Sequence, residues 1–499
     1  MQLVAYGAQD VYLSGNPQIT FFKSVYRRHT NFSMEAIEQT FNGQADFGKR
    51  VTTTISRNGD LITKMYLQVQ VPDVIVPSGA AFRWLNNLGH ILIKTVEVEI
   101  GGQRIDKHYG HWLYVWNELT QTAGHAIGFA NMIGNTSQLT TPVENTTTGP
   151  LTLAGTTLFI PLNFWFNRNA GLALPLIALQ YHEIRINLEL APVTDCYWSG
   201  LATSGSSTGA AALTAGSSAL QQLKWTTAMS AVVPPGLTYA SLWVDYVYLD
   251  TDERRRFAQV SHEYLVEQLQ FTGEESTTTT KPNLKLSFNH PCKELIWTVQ
   301  KDSVVGDGAT GKQWFNYTDA VDSTYNWLAY GVGLGGAFQA GAAGALFEGP
   351  GAPLQDPNGV GSAANNVGTA PGVAAGGANG VFVPVSFEGG VNPVKLAKLQ
   401  LNGHDRFAER PGRYFNLVQP YQHHENVPSC GINVYSFALK PEEHQPSGSC
   451  NMSRIDNATL NLTLTDATVA ADSAKIRVYA VSYNVLRVMS GMGGLAYSN

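Results

Sequence analysis

The stretch 440-KPEEHQPSGSC-450 gathers two neighbouring carboxylates, Glu442 and Glu443, an imidazole, His444, and a thiol, Cys450. An acid, a base and a thiol are the inventory of nucleophilic catalysis, in which a carboxylate orients the histidine that activates the cysteine. The same stretch carries Pro441, Pro446 and Ser447-Gly448, all turn formers. Adjacent Glu442 and Glu443 side chains point different ways in a strand or a turn. A cysteine beside a Gly-Ser turn more often serves as a small buried hydrophobe. The expectation is a corner joining two strands.

Other segments raise similar questions. The run 306-GDGATGK-312 has the phosphate-loop spacing G-x-x-x-x-G-K after a strand-like WTVQK. Gln313 stands where a Ser or Thr should hold Mg²⁺, and the following WFNYTDAVD is a poor helix start, so no helix dipole awaits a phosphate. The run 331-GVGLGG-336 fits G-x-G-x-x-G, but it lies in a Gly/Ala tract with no βαβ pattern around it. Both are read as surface segments. The histidines of 108-HYGH-111 and 423-HHE-425 lack partner cysteines or carboxylates at useful metal spacing. Hydrogen-bonding roles are expected for them. No cofactor, metal site or catalytic residue is assigned.

Seven Asn-x-Ser/Thr sequons begin at Asn31, Asn135, Asn145, Asn316, Asn451, Asn457 and Asn461. Asn457 and Asn461 fall in a predicted strand. Asn135, Asn145 and Asn316 fall in insertions and are the expected exposed candidates for glycosylation.

Side chains act only where the backbone puts them, so the elements come next. The chain has 499 residues, 44% of them apolar, enough for two or three domains with full cores. Charged residues are 14%, against about 25% in typical soluble domains. Such a charge-poor surface suits a protein much of whose surface meets neighbours. A net charge of −6 gives no basic footprint for nucleic acid. Four scattered cysteines, Cys196, Cys292, Cys430 and Cys450, suit free thiols in a reducing compartment, the alternative being a Cys430–Cys450 disulfide. No signal peptide and no transmembrane helix is expected.

The pattern is one of strands. In 64-KMYLQVQV-71, 94-KTVEVEI-100, 396-LAKLQLN-402 and 460-LNLTLT-465, apolar and polar residues alternate with the period of a half-buried sheet. Asn58-Gly59, Gly101-Gly102 and Asn402-Gly403 punctuate them as turns. One helix is expected from Asn16-Pro17 through Arg28, with Asn16 as cap and Pro17 at its first position.

The segments recur in order. Residues 35–71 resemble 264–301, and 100-IGGQRIDKHYGHWLYVW-116 resembles 401-LNGHDRFAERPGRYFNLV-418. With Asp405 inserted, Gly102 matches Gly403, Arg104 matches Arg406, Gly110 matches Gly412 and Trp112 matches Tyr414. On the same register His108 and His111 align with Arg410 and Arg413, which favours a polar role over metal ligation. Residues 158–169 pair with 434–445, 182–190 with 457–464, and 240–257 with 474–491. Five motifs in one order argue for a duplicated fold. The expected class is all-β: two tandem antiparallel sandwiches or jelly rolls with short helices and long insertions. The expected division is an arm at 1–28, a first roll at 29–250, a solvated linker at 251–263 and a second roll at 264–499. A Gly/Ala-rich insertion at about 303–380 is expected to form surface loops ordered by neighbouring chains.

The stretches 6-YGAQDVYLSGNPQITFFKSVYRRHTNF-32, 55-ISRNGDLI-62, 158-LFIPLNFWFNRNAGLALPLIALQYHEIRI-186 and 435-YSFALKPEEHQPSGSCNMSRIDNATL-460 closely resemble the major capsid proteins of nucleocytoplasmic large DNA viruses, the chlorovirus and mimivirus-like group. The resemblance runs over most of the chain outside the insertions. It implies two tandem eight-stranded antiparallel jelly rolls per chain and a homotrimer shaped like a hexagon, tiling an icosahedral shell in the virion and assembled in host cytoplasm. The implied partners are neighbouring capsomers and minor capsid and penton proteins. An inner membrane would lie beneath the shell, touched only indirectly, and nucleic acid would not be bound directly. No catalytic residues are implied. The arm is expected to pack beneath a jelly roll or against minor capsid proteins. Two other classes are weighed. A carbohydrate-binding or glycan-processing β-sandwich would need paired acids in a pocket, and none occur at matching positions in the two halves. A host-attachment role for the loops is compatible with the shell.

Overall fold

The computed structural model describes residues 5, 7–78, 80–141, 143–145, 149–201, 232–306, 312–319, 391–469 and 472–497. Most of the Gly/Ala-rich insertion, including 331–336, and part of 191–221 lie outside the described residues.

Two facing sheets of the first half are built from β1 (Phe32–Gln39), β2 (Arg50–Thr54), β3 (Leu61–Val71), β4 (Ile93–Ile100), β5 (Gln103–Tyr109), β6 (Thr156–Pro161), β7 (Ile184–Leu190) and β8 (Tyr239–Leu249), with short accessory strands beside them. They pair in two antiparallel sheets ordered β1-β8-β3-β6 and β2-β7-β4-β5. The second half has β9 (His262–Thr277), β10 (Asn283–Leu286), β11 (Pro291–Lys301), β12 (Val394–Leu401), β13 (His404–Asp405), β14 (Ile432–Ser436), β15 (Ala458–Leu464) and β16 (Ala474–Met489). Its sheets are ordered β9-β16-β11-β14 and β10-β15-β12-β13, with Arg410–Pro411 pairing β12 beyond β13. Adding eight to each strand of the first half reproduces the second. This order in two facing sheets is a jelly roll, given twice.

Alternation places the cores. Along β3, Met65, Leu67, Val69 and Val71 are buried, while Lys64 and Gln70 are exposed. Along β15 the same period buries Ala458, Leu460, Leu462 and Leu464. The β4–β5 hairpin turns on Gly101 and Gly102, both at positive φ, and the β12–β13 hairpin turns on Asn402 and Gly403, also both positive. A two-residue hairpin whose twist matches its strands needs that conformation at both centres, so glycine and asparagine are selected there.

One expectation is corrected. Residues 16–28 form no helix. Asn16 sits at φ +49, and the helical turns among the described residues of the arm are Ala8–Asp10 and Val11–Ser14. An isolated segment of this length cannot repay helix nucleation without a surface to pack on. The described residues of the arm find no such surface beneath their own jelly roll: Tyr12, Phe21, Phe22 and Tyr26 are 85–98% exposed. The charged run at 251–263 carries a helix. Helix α2 (Thr251–Gln259) buries no residue, but Arg254 reaches Asp60 at 3.0 Å, and His262 already belongs to β9.

Candidate functional site

The corner at 440–450 is a clamp. Oε1 of Glu442 accepts from Nδ1 of His424 at 2.8 Å and from the Glu425 amide at 3.0 Å. Nε2 of His424 donates to Oε2 of Glu294 at 2.8 Å, deep in the second half. Burial, the largest single influence, opposes charge on the imidazole, but the two carboxylates outweigh it and lift the group to about 9. The ring is a charged bridge with both nitrogens occupied. Glu443 pairs with Lys440 at the surface (2.7 Å), and Nδ1 of His444 is buried without a partner. Cys450 stands opposite Cys292 in antiparallel register. All four thiols are free, and burial pushes those of Cys292 and Cys450 up, away from the reactive thiolate.

The remaining candidates separate. Lys312 sits at φ +55 with its side chain buried, donating Nζ to the Thr194 carbonyl of the first half. His108 lies 3.1 Å from Asp106 and stacks on Phe164 at 4.6 Å. His111 points elsewhere, hydrogen-bonded to the Tyr479 hydroxyl at 2.7 Å, and burial with the nearby Arg477 holds it well below the ordinary histidine range. Among the described residues no group of three His, Cys, Asp or Glu side chains could hold a metal ion.

The expectation that Asn135, Asn145 and Asn316 are exposed is corrected: all three are buried. The Asn145 amide donates to the carbonyls of Val76 and Gly149, and that of Asn316 donates to Gln313 while its oxygen accepts from Thr318. Insertions fold back onto the rolls here, and the amide nitrogens of Asn145 and Asn316 are taken up by these contacts. Asn31, Asn451 and Asn457 are the exposed sequon residues.

What the structure does assemble is a junction between the rolls. Helix α1 (Gly110–Thr120) follows β5 and seats on the outer face of β9-β16-β11-β14. Trp112, Val115, Trp116 and Leu119 form one core with Ile296, Ile432, Val434, Tyr479 and Val481. Glu118 is half-buried and accepts from the Ser429 amide, and desolvation raises its carboxyl. Beside it, Glu267 binds Arg168 of the first half at 3.0 Å and the fully buried Lys293 at 2.6 Å. Arg168 lies over Trp116 at 4.8 Å, and Lys293 over Tyr483 at 5.3 Å. Burial lowers the Lys293 ammonium, with Glu267 opposing. The motif alignment flagged α1 as a repeated feature. It could not flag Arg168, Glu267 and Lys293, which come from distant segments.

Residues 253–494 match the family described as large eukaryotic DNA virus major capsid protein, and residues 20–250 match the major capsid protein N-terminus. The chain is 53% identical to the major capsid protein of Phaeocystis pouchetii virus, over 100% of this chain and 99% of that one. It is 41% identical to the major capsid protein of Paramecium bursaria Chlorella virus 1, with the same coverage. Among solved structures, a chain of the PBCV-1 virus capsid quasi-atomic model aligns with TM-score 0.62 at 34% identity, covering 96% of this chain and 100% of that one. The Faustovirus major capsid protein aligns with TM-score 0.65 at 13% identity, over 97% and 94% of the two chains, a likeness of fold. Two rolls of one strand order, fused through a packed junction, thus coincide with matches along nearly the whole chain, and the chain belongs to the major capsid proteins of large eukaryotic DNA viruses, the structural components of the virion capsid.

Proposed function

We propose that three copies of this chain close into a pseudo-hexagonal capsomer that tiles an icosahedral shell. One observation carries the reading: two rolls of the same strand order are joined side by side by a helix of one seated on a sheet of the other. A head-to-tail contact of that kind, repeated between chains, generates a closed ring. With two similar units per chain, three chains present six similar edges. Residues 29–250 and 264–499 are the two units of the tile. Neighbouring capsomers and minor capsid and penton proteins are the partners, and host cytoplasm is the place of assembly. The exposed arm is the segment offered to proteins beneath the shell, keeping any inner membrane at one remove.

Light scattering on the purified chain after size exclusion tests this directly. The expected particle has about three times the 54.1 kDa chain mass and a hexagonal outline in negative stain. A species that stays monomeric at every concentration and outside any shell contradicts it.

A further inference from the structure

We infer that residues 414–423 of one copy seat on the outer face of sheet β1-β8-β3-β6 of the next, as α1 seats on the second roll within the chain. The inference rests on the trimeric reading and names the surface that makes it.

The two rolls can be set in register on a close approach of backbone. A Cβ on Gly110 would stand 2.4 Å from the carbonyl oxygen of Ile93, the first residue of β4; a Cβ on Gly412 would stand 1.8 Å from that of Val394, the first residue of β12. The same glycine thus admits the same crossing in both rolls. Three residues on, Leu113 and Phe415 both point into their own roll's core and are fully buried. From there the environments diverge. Val115, Trp116 and Leu119 are at most 4% exposed beneath the second roll. Their counterparts Leu417, Val418 and Tyr421, on the π-helical turn Tyr414–Val418 and the helix α3 (Gln419–His423), are 46%, 41% and 81% exposed.

A matching seat is open on the first roll. On the outer face of β1-β8-β3-β6, Trp243 stacks on Tyr66 with ring centroids 6.2 Å apart, and Phe159 meets Tyr66 edge-on at 6.1 Å. Phe159 is 37% exposed, Tyr66 and Trp243 are half-buried, and the flanking Lys64 and Gln70 are exposed. The corresponding face of the second roll carries Phe271, Tyr479, Ile296 and Val434, and α1 covers it. Charge agrees as well. Arg410 and Arg413 are exposed beside the free plug, and Glu38 and Asp245 lie on the seat, opposite or beside Trp243. A second copy of this chain is therefore the occupant. Plug and seat lie on different rolls, so the contact is head-to-tail and can close a ring with the in-chain junction alternating around it.

The test uses full-length chain. Tyr421→Asp and, separately, Trp243→Asp are assayed by light scattering across a dilution series, with a photo-crosslinking phenylalanine analogue placed at 421 in a third sample. Expected are at least a tenfold weakening of the trimer in each variant, an unchanged circular dichroism spectrum for Tyr421→Asp, and crosslinks from 421 to peptides containing residue 66, 159 or 243 of another copy. If the wild type is trimeric, Tyr421→Asp is equally so and the crosslinks fall elsewhere, the seat is wrong while the capsomer stands. A wild type that is monomeric throughout overturns both.

Discussion

Nε2 of His424 and Oε2 of Glu294 meet at 2.8 Å with neither side chain open to solvent, although 130 residues separate them. The other Glu294 oxygen is buried without a partner, so the imidazolium is the main compensation for a carboxylate held in the protein interior. The folded-state value of His424 is raised from 6.5 to about 9. A raised value means that its stabilisation is fully present below pH 6.5 and is lost as pH rises through about 9. The melting temperature should therefore fall between pH 7 and 10, with a His424 contribution on the order of 3 kcal/mol at stake. Scanning fluorimetry on wild type and His424→Gln checks this: the variant should start lower and show a flatter pH profile. Parallel profiles would remove the assignment.

Lys293 is the second buried ion whose partner matters. Truncating it leaves Glu267 facing only Arg168, so Lys293→Ala should cost about 3–5 kcal/mol in chemical denaturation. The pair Glu267→Gln with Lys293→Met, which removes both buried charges, should recover most of that loss. If the double variant is no better than the single one, the ion pair is not what the alanine removed.

Gly412 has no room for a methyl group. With the Val394 oxygen 1.8 Å from an added Cβ, Gly412→Ala must push helix and strand apart, at roughly 1–3 kcal/mol for an overpacked site. A lowered denaturation midpoint is expected. Gly403→Ala, where nothing stands within 4 Å but φ is +82, should act instead through backbone strain of about 1 kcal/mol.

Removing residues 1–26 should leave the stability of the chain within about 0.5 kcal/mol, because no described residue of the arm is buried. Trimers should still form, and assembly of trimers into shells with their minor proteins should fail. Shell assembly that proceeds at the wild-type rate would exclude a docking role for the arm.

Much of the architecture was legible from residue order. Alternation in 64–71 and 460–465, the paired turns at Gly101-Gly102 and Asn402-Gly403, and the match of Gly110 to Gly412 all reflect local rules: strand period, positive φ and close backbone approach. A one-residue spacing error would turn each strand inside out, so these signals survive in a single sequence. The 240–257 and 474–491 match shows where local likeness ends, since β8 stops at Leu249 and α2 follows, whereas β16 continues to Met489.

Sequence by itself determined the strands, their duplication and the hairpin turns, because those depend on neighbours in the chain. Tertiary structure alone decided that Asn135, Asn145 and Asn316 are buried, that residues 16–28 form no helix, and that His424 is gripped between Glu294 and Glu442. It also decided that Val115, Trp116 and Leu119 are covered while Leu417, Val418 and Tyr421 are bare. Burial and charge state are set by what arrives from elsewhere in the fold, and two segments of like pattern acquire different surroundings once one roll has a partner and the other still presents its face.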